Sequence, residues 1–205
     1  MKSTSQDLLN SFMHARAGKP SVVDMPSLRF LMVDGEGDPN GNPAFSNAVE
    51  ALYAVSYCAK FSLKKQGGGA FKVAPLEGLW WSATGRNYLL SGLDKSDFMW
   101  TVMIRQPGEV SPKVFRDSVR EALTKKENPA LATVRFEKFA EGRSAQVLHL
   151  GPYSAEGPTI ALLHEFIVQQ GGTPAGKHHE IYLGDPRRAK PEKLKTIIRQ
   201  PFAKK

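Results

Sequence analysis

The sequence predicts an α+β protein built from a strand–helix–strand–strand module used twice, with antiparallel sheets. Three observations predict it. The segment Ile104-Arg-Gln-Pro107 recurs as Ile198-Arg-Gln-Pro201. Each copy closes a series whose periodicity reads as strand, helix, strand, strand. The third element of each series carries a glutamate beside aromatic residues: Glu77 with Trp80 and Trp81, and Glu180 with Tyr182. A module of this size cannot bury both faces of its own sheet, so the two are expected to associate about a pseudo-twofold axis. The boundaries read as an arm over 1–20 and a domain over 21–205. Within that domain lie repeats over about 21–110 and 130–205, joined by a helix over 111–127.

Taken in order, Met1 to Ser21 shows a weak helical pattern (Leu8, Leu9, Phe12, Met13) and is expected to be a loosely attached arm. Ser27 to Val33 alternates as a strand. The loop after it, Asp34 to Pro43, has spaced glycines, but Asp34, Glu36 and Asp38 would repel a phosphate and their spacing does not fit a calcium loop. Phe45 to Lys65 reads as the strongest helix, with Phe45, Val49, Leu52, Val55 and Ala59 on its core stripe. Tyr53, Tyr57 and Phe61 form a second stripe, and Gly67 to Gly69 end the helix. Strands follow at 75–82 and 97–104, separated by a loop rich in Gly, Asn and Ser. Ser111-Pro112 is a helix start, a capping hydroxyl before a proline whose missing N–H costs nothing there. Strands over 133–139 and 144–150 read as a hairpin turning at Ala140 to Arg143. A helix over 159–170 ends at Gly171-Gly172. Then come the stretch 176–186, a helical turn at 191–194 and a last strand over 195–202.

Composition excludes several classes. Apolar residues at 41% and charged residues at 23% are those of an ordinary globular chain. One cysteine, Cys58, rules out an internal disulfide framework. No segment is long and apolar enough to be a leader or a membrane span, so the expectation is a cytoplasmic protein without membrane partners. A net charge of +8 raises nucleic-acid binding. The basic residues are scattered, however, and no helix-turn-helix or RNP-like pattern is present, so no nucleic acid is expected.

The stretch Gly176-Lys-His-His-Glu-Ile-Tyr-Leu-Gly-Asp-Pro186 concentrates the chemistry. Strand alternation puts His178, Glu180 and Tyr182 on one side and His179, Ile181 and Leu183 on the other. The second, more apolar side is expected to pack on a helix. On the first side, a solvent-facing Glu180 would mean little, whereas a buried one needs a partner or a purpose. Adjacent strand histidines point apart and no third ligand joins them, so neither a metal nor a cofactor is expected. His149 and His164 read as structural.

These residues resemble the GyrI-like small-molecule-binding family. The resemblance rests on His179 to Pro186, Gly151-Pro-Tyr153, Gly35-Glu-Gly-Asp-Pro-Asn40, Leu76-Glu-Gly-Leu-Trp-Trp81 and the twin Arg-Gln-Pro strand ends, and it covers nearly everything from Lys19 onward. It implies a duplicated module enclosing a pocket for bulky, often aromatic and cationic, drug-like molecules, with the pocket glutamate at Glu180. Some relatives are drug sensors fused to a DNA-binding domain. Others resemble hydrolases that detoxify DNA-alkylating compounds by opening an electrophilic cyclopropane ring. On that reading Glu180 activates water, and Tyr182, Tyr153 or His178 donates to the developing oxyanion. Trp80, Trp81, Trp100 and Tyr57 stack on the ligand, with Glu77 and Met103 beside it. Alternation sends Trp80 and Trp81 to opposite faces, as it does Trp100 and Met103, and leaves open which face lines the pocket. A non-catalytic sequestering or sensor protein uses the same residues. A protein-binding inhibitor and a haem binder are weaker alternatives. The assembly is expected to be a monomer or weak dimer.

Overall fold

The computed structural model describes residues 12–67, 71–82, 84 and 97–204. The helical pattern at Leu8 and Leu9, the end of the glycine run at 68–69, and most of the loop after Ser82 lie outside them. In chain order the elements are β1 (Ser21–Glu36), α1 (Pro43–Lys65), β2 (Leu76–Ser82), β3 (Phe98–Gln106), α2 (Pro112–Lys125), β4 (Arg135–Leu150), α3 (Gly157–Gln169), β5 (Gly172–Pro174), β6 (His178–Tyr182) and β7 (Lys195–Lys204). The chain forms two compact units, one of Leu28–Phe139 and one of Met1–Ser27 with Ala140–Lys205. Each contains the strand–helix–strand–strand order, and the α+β class holds.

In the unit Leu28–Phe139, β3 is the central strand, with β1 and β2 antiparallel on its two sides. Asn42 and Pro43 start α1: the asparagine side chain accepts from the Ala44 amide at 2.9 Å, filling one of the donors a helix start leaves open. Ala48, Ala51, Leu52, Val55 and Ala59 of α1 are at most 1% exposed. The register pairs Trp80 with Trp100, Gly78 with Val102 and Leu76 with Ile104, so these share one face. That face meets α1: Gln106 donates to the Ser56 hydroxyl at 3.2 Å, and Phe45 stacks on Trp80 and meets Trp100 edge-on. The opposite face holds a cluster of Phe30, Met32, Leu79 and Met103, with Leu28, Trp81 and Phe139 packed against it.

Gly35 lies across β1–β3 from Trp100, and a methyl group there would sit 2.1 Å from the indole. Gly35→Ala is therefore expected to destabilise by about 2 kcal/mol or more, since a buried indole cannot move aside cheaply. Chemical denaturation checks this, and an unchanged midpoint contradicts the packing.

In the other unit, β7 is the hub. It pairs antiparallel with β4 along 195–201, with β6 along 196–199 and with β5 along 202–204. The hairpin expected at 140–143 is instead part of the single strand Arg135–Leu150. Gly142 takes φ 73° without ending the strand, and the Glu141 side chain is buried against β6 and β7 rather than exposed in a turn. The described part of the arm is also held. Leu148 donates to the Arg16 carbonyl, and Arg199 and Gln146 donate to the carbonyls of Phe12 and His14. No helix among the described residues is long and apolar enough to cross a membrane.

Candidate functional site

The face of β6 that meets the helix is the reverse of the one the sequence implies. The expectation put a helix on the Ile181 side. In the structure α3 lies on the Glu180 side, because Thr159 in its first turn bonds His149, and His149 and Tyr182 both lie opposite Thr196 of β7. The register agrees: Glu180 lies opposite Ile198 and Tyr182 opposite Thr196. His149 of β4, opposite Thr196, joins α3 through the Thr159 hydroxyl at 2.9 Å. Alternation fixes which residues share a face but not which face the helix takes. Here residues 178–181 are all buried, so exposure gives no cue.

Beneath α3, Glu180 is 6% exposed. Its Oε2 accepts from the Tyr182 hydroxyl at 2.8 Å, and its Oε1 lies 3.2 Å from His178 Nε2. Tyr153, from the turn Tyr153–Ala155, meets the Tyr182 ring edge-on at 5.5 Å. The four residues Glu180, Tyr182, Tyr153 and His178 thus form one cluster. Burial first, then the charges of Glu156, Glu180 and Asp185, push the Tyr153 hydroxyl up to about 12. Glu156, not among the sequence candidates, is 4% exposed. Burial and then the Glu180 charge push it up to about 8. Burial and then His178 lower His164.

The remaining candidates divide. Trp80 and Trp100 are core residues on the α1 face, closed by Phe45. Trp81, Met103 and Glu77 share the opposite face of β2–β3. Tyr57 is 45% exposed on the outer side of α1, stacked between Tyr53 and Phe61. Glu77 is not the counterpart of Glu180. Aligning the two Ile-Arg-Gln-Pro segments, Ile104 lies opposite Leu76 and Ile198 opposite Glu180, so the two acids differ by one residue and take opposite faces.

The opposite face of β6 and β7 carries a second polar group. Glu141 accepts from Arg199 at 3.1 Å and bonds His179 Nδ1 at 2.9 Å, and Arg199 also donates to Gln146 at 2.9 and 3.0 Å. Every ion here is partnered, as a brace requires. His179, expected against a helix, belongs to it. Among the described residues no group of three or more His, Cys, Asp or Glu side chains is arranged to hold a metal ion.

Comparison with known proteins agrees with this architecture. A model of the GyrI-like small molecule binding domain matches residues 18–202. An uncharacterised conserved protein from Listeria innocua is 38% identical, with a TM-score of 0.85 over 96% of this chain and 98% of its own. A hydrolase from the same organism is 36% identical, with a TM-score of 0.81 over 96% and 98%. A second L. innocua hydrolase is 37% identical, with a TM-score of 0.83 over 96% and 97%. No curated protein matches. With the matched stretch spanning both units and every module element in place, the chain belongs to the GyrI-like small-molecule-binding family.

Proposed function

We propose that the chain binds flat aromatic or cationic molecules at Glu180 and hydrolyses those that carry a strained electrophilic ring, such as a cyclopropane conjugated to a dienone. The observation that carries this reading is a carboxylate buried beneath a helix, touched by a phenol and an imidazole and, among the described residues, hydrogen-bonded or ion-paired to no lysine or arginine. Such a charge is costly unless a ligand uses it. The likeness to hydrolases at 36% and 37% identity supports a reaction with water.

In the proposed step, water gives a proton to Glu180 while its oxygen bonds to a cyclopropane carbon. The carbon–carbon bond breaks, its electron pair moves through the dienone, and the carbonyl becomes a phenolate that then takes a proton. One water is added and nothing is lost. Tyr182 already donates to Glu180, so its role is to hold the base. Tyr153, whose proton is tightly held, is better suited to donate a hydrogen bond to the phenolate than to give the proton away. Incubation with a cyclopropane-bearing dienone should yield the water adduct by mass spectrometry, and unchanged starting material would count against hydrolysis. Tyr182→Phe removes the 2.8 Å bond and should slow ring opening about tenfold to a hundredfold. A Phe variant as fast as the parent would contradict the role given to Tyr182.

One observation favours a second reading. Both Glu180 oxygens already have neighbours, which suits a fixed counter-charge as well as a base. On that reading the protein sequesters aromatic cations and breaks no bond.

A further inference from the structure

We propose that Glu156 is a second anionic subsite, which takes up a second positive charge on a ligand seated at Glu180 and holds a proton there when no such charge is present, so that flat dications are preferred over flat monocations. This rests on Glu180 being the counter-charge of the ligand.

Glu156 stands at the head of α3, yet its side chain makes no capping bond to the helix. It is 4% exposed, and its Oε1 has no hydrogen-bond partner among the described residues. Such an atom is rare in a native interior and calls for an explanation, such as a bound partner. The Glu156 amide donates to the Tyr153 carbonyl at 3.2 Å, the Tyr153 ring meets Tyr182, and Tyr182 donates to Glu180. Three residues on, Thr159 bonds His149, which lies opposite Thr196, so Glu156 stands at the face that carries Glu180. The groups that meet this space come from every element around it. They are Tyr153 from the preceding turn, His164 from α3, His149 from β4, His178, Glu180 and Tyr182 from β6, and Thr196 and Gln200 from β7, with Asp185 acting on Tyr153 from beyond β6. None of them is a lysine or arginine. Burial and the neighbouring Glu180 both disfavour a charge on Glu156, whose Oε1 has no partner to offset them among the described residues, so Glu156 holds a proton.

The direction of the linkage follows. Burial and the Glu180 charge raise Glu156 to about 8, so it is neutral in the empty site at pH 7. A second positive charge beside it lowers it again and expels the proton. Binding of a dication therefore tightens as pH rises and levels off above about 8.

Ethidium and propidium test this, since they share one phenanthridinium ring system and propidium adds a quaternary ammonium on a short tail. In fluorescence titrations of the intact protein, propidium should tighten by up to about tenfold per pH unit between pH 6 and 8, and ethidium by less than about threefold overall. Calorimetry at pH 7 in phosphate and in Tris should show about one proton released with propidium and well under half with ethidium. Glu156→Gln should abolish the pH dependence and bring propidium down to the affinity of ethidium. A propidium-to-ethidium ratio constant with pH, with no proton released, overturns the proposal while leaving Glu180 as the binding charge. If neither dye binds the parent protein, the Glu180 reading fails and this inference with it. Should the variant not fold, the ratio and the proton count in the parent protein decide alone.

Discussion

Glu180→Gln is expected to reduce ring-opening turnover by about a hundredfold to ten-thousandfold, the range that a positioned general base contributes. The amide keeps the volume of the acid and can still accept from Tyr182, so the site should stay folded. What it loses is the capacity to take a proton from water. A neutral aromatic substrate should then bind within a few-fold of its parent affinity, whereas an aromatic cation, deprived of its buried counter-charge, should weaken by about 2 kcal/mol or more. Measuring turnover and both affinities on the same variant separates the two readings. Lost turnover with kept neutral binding identifies a base, and a loss confined to cation affinity identifies a sequestering site. Turnover equal to the parent would remove Glu180 from the chemistry.

Arg199→Met should be among the most damaging substitutions outside the site. Arg199 is 2% exposed, donates to Glu141, Gln146 and the Phe12 carbonyl, and stands across β6–β7 from His179. Removing it leaves the Glu141 carboxylate buried without its guanidinium, a loss of about 3–5 kcal/mol. For a domain of this size that lowers the thermal midpoint by about 10 °C. Replacing Glu141 by leucine as well should recover much of the loss, because no lone ion then remains. The pH dependence has a definite sign. Burial raises Glu141, but His179 and Arg199 together outweigh it and hold the carboxyl below its usual range. A depressed acid stabilises the fold above its unfolded pKa and stops doing so as pH falls through the folded one, so the gap between parent and variant should narrow as pH falls below the usual carboxylate range. A gap unchanged with pH would show that Arg199 acts through packing rather than charge.

Much of this was readable from the chain. The apolar steps of α1, the serine and proline that start α2 and the repeated Ile-Arg-Gln-Pro each rest on a local rule, and local rules survive folding. What escaped depends on contacts distant in sequence. Glu156 follows a Gly-Pro-Tyr turn and looks like a solvated loop acid, and only the placement of α3 on β6 and β7 buries it. Trp80 and Trp100 looked like ligand-stacking rings, but alternation cannot say which face of β2–β3 meets a helix, and Phe45 of α1 closes on both. Motif likeness pairs Glu77 with Glu180, but it carries no ladder register, and one residue of offset reverses a face. The turn expected at 140–143 failed for a related reason. Its glycine and charged residues have the composition of a hairpin, while their partners lie some 40 and 60 positions further on, as His179 and Arg199.

The account stands on Glu180 being the charge that a ligand meets. A crystal of the protein grown with ethidium tests that most directly. The phenanthridinium should lie beneath α3, beside Tyr153 and Tyr182, with its positive ring within about 4 Å of the Glu180 carboxylate. Ethidium bound on any other surface, with Tyr182 and His178 still closed on an unvisited Glu180, would contradict it.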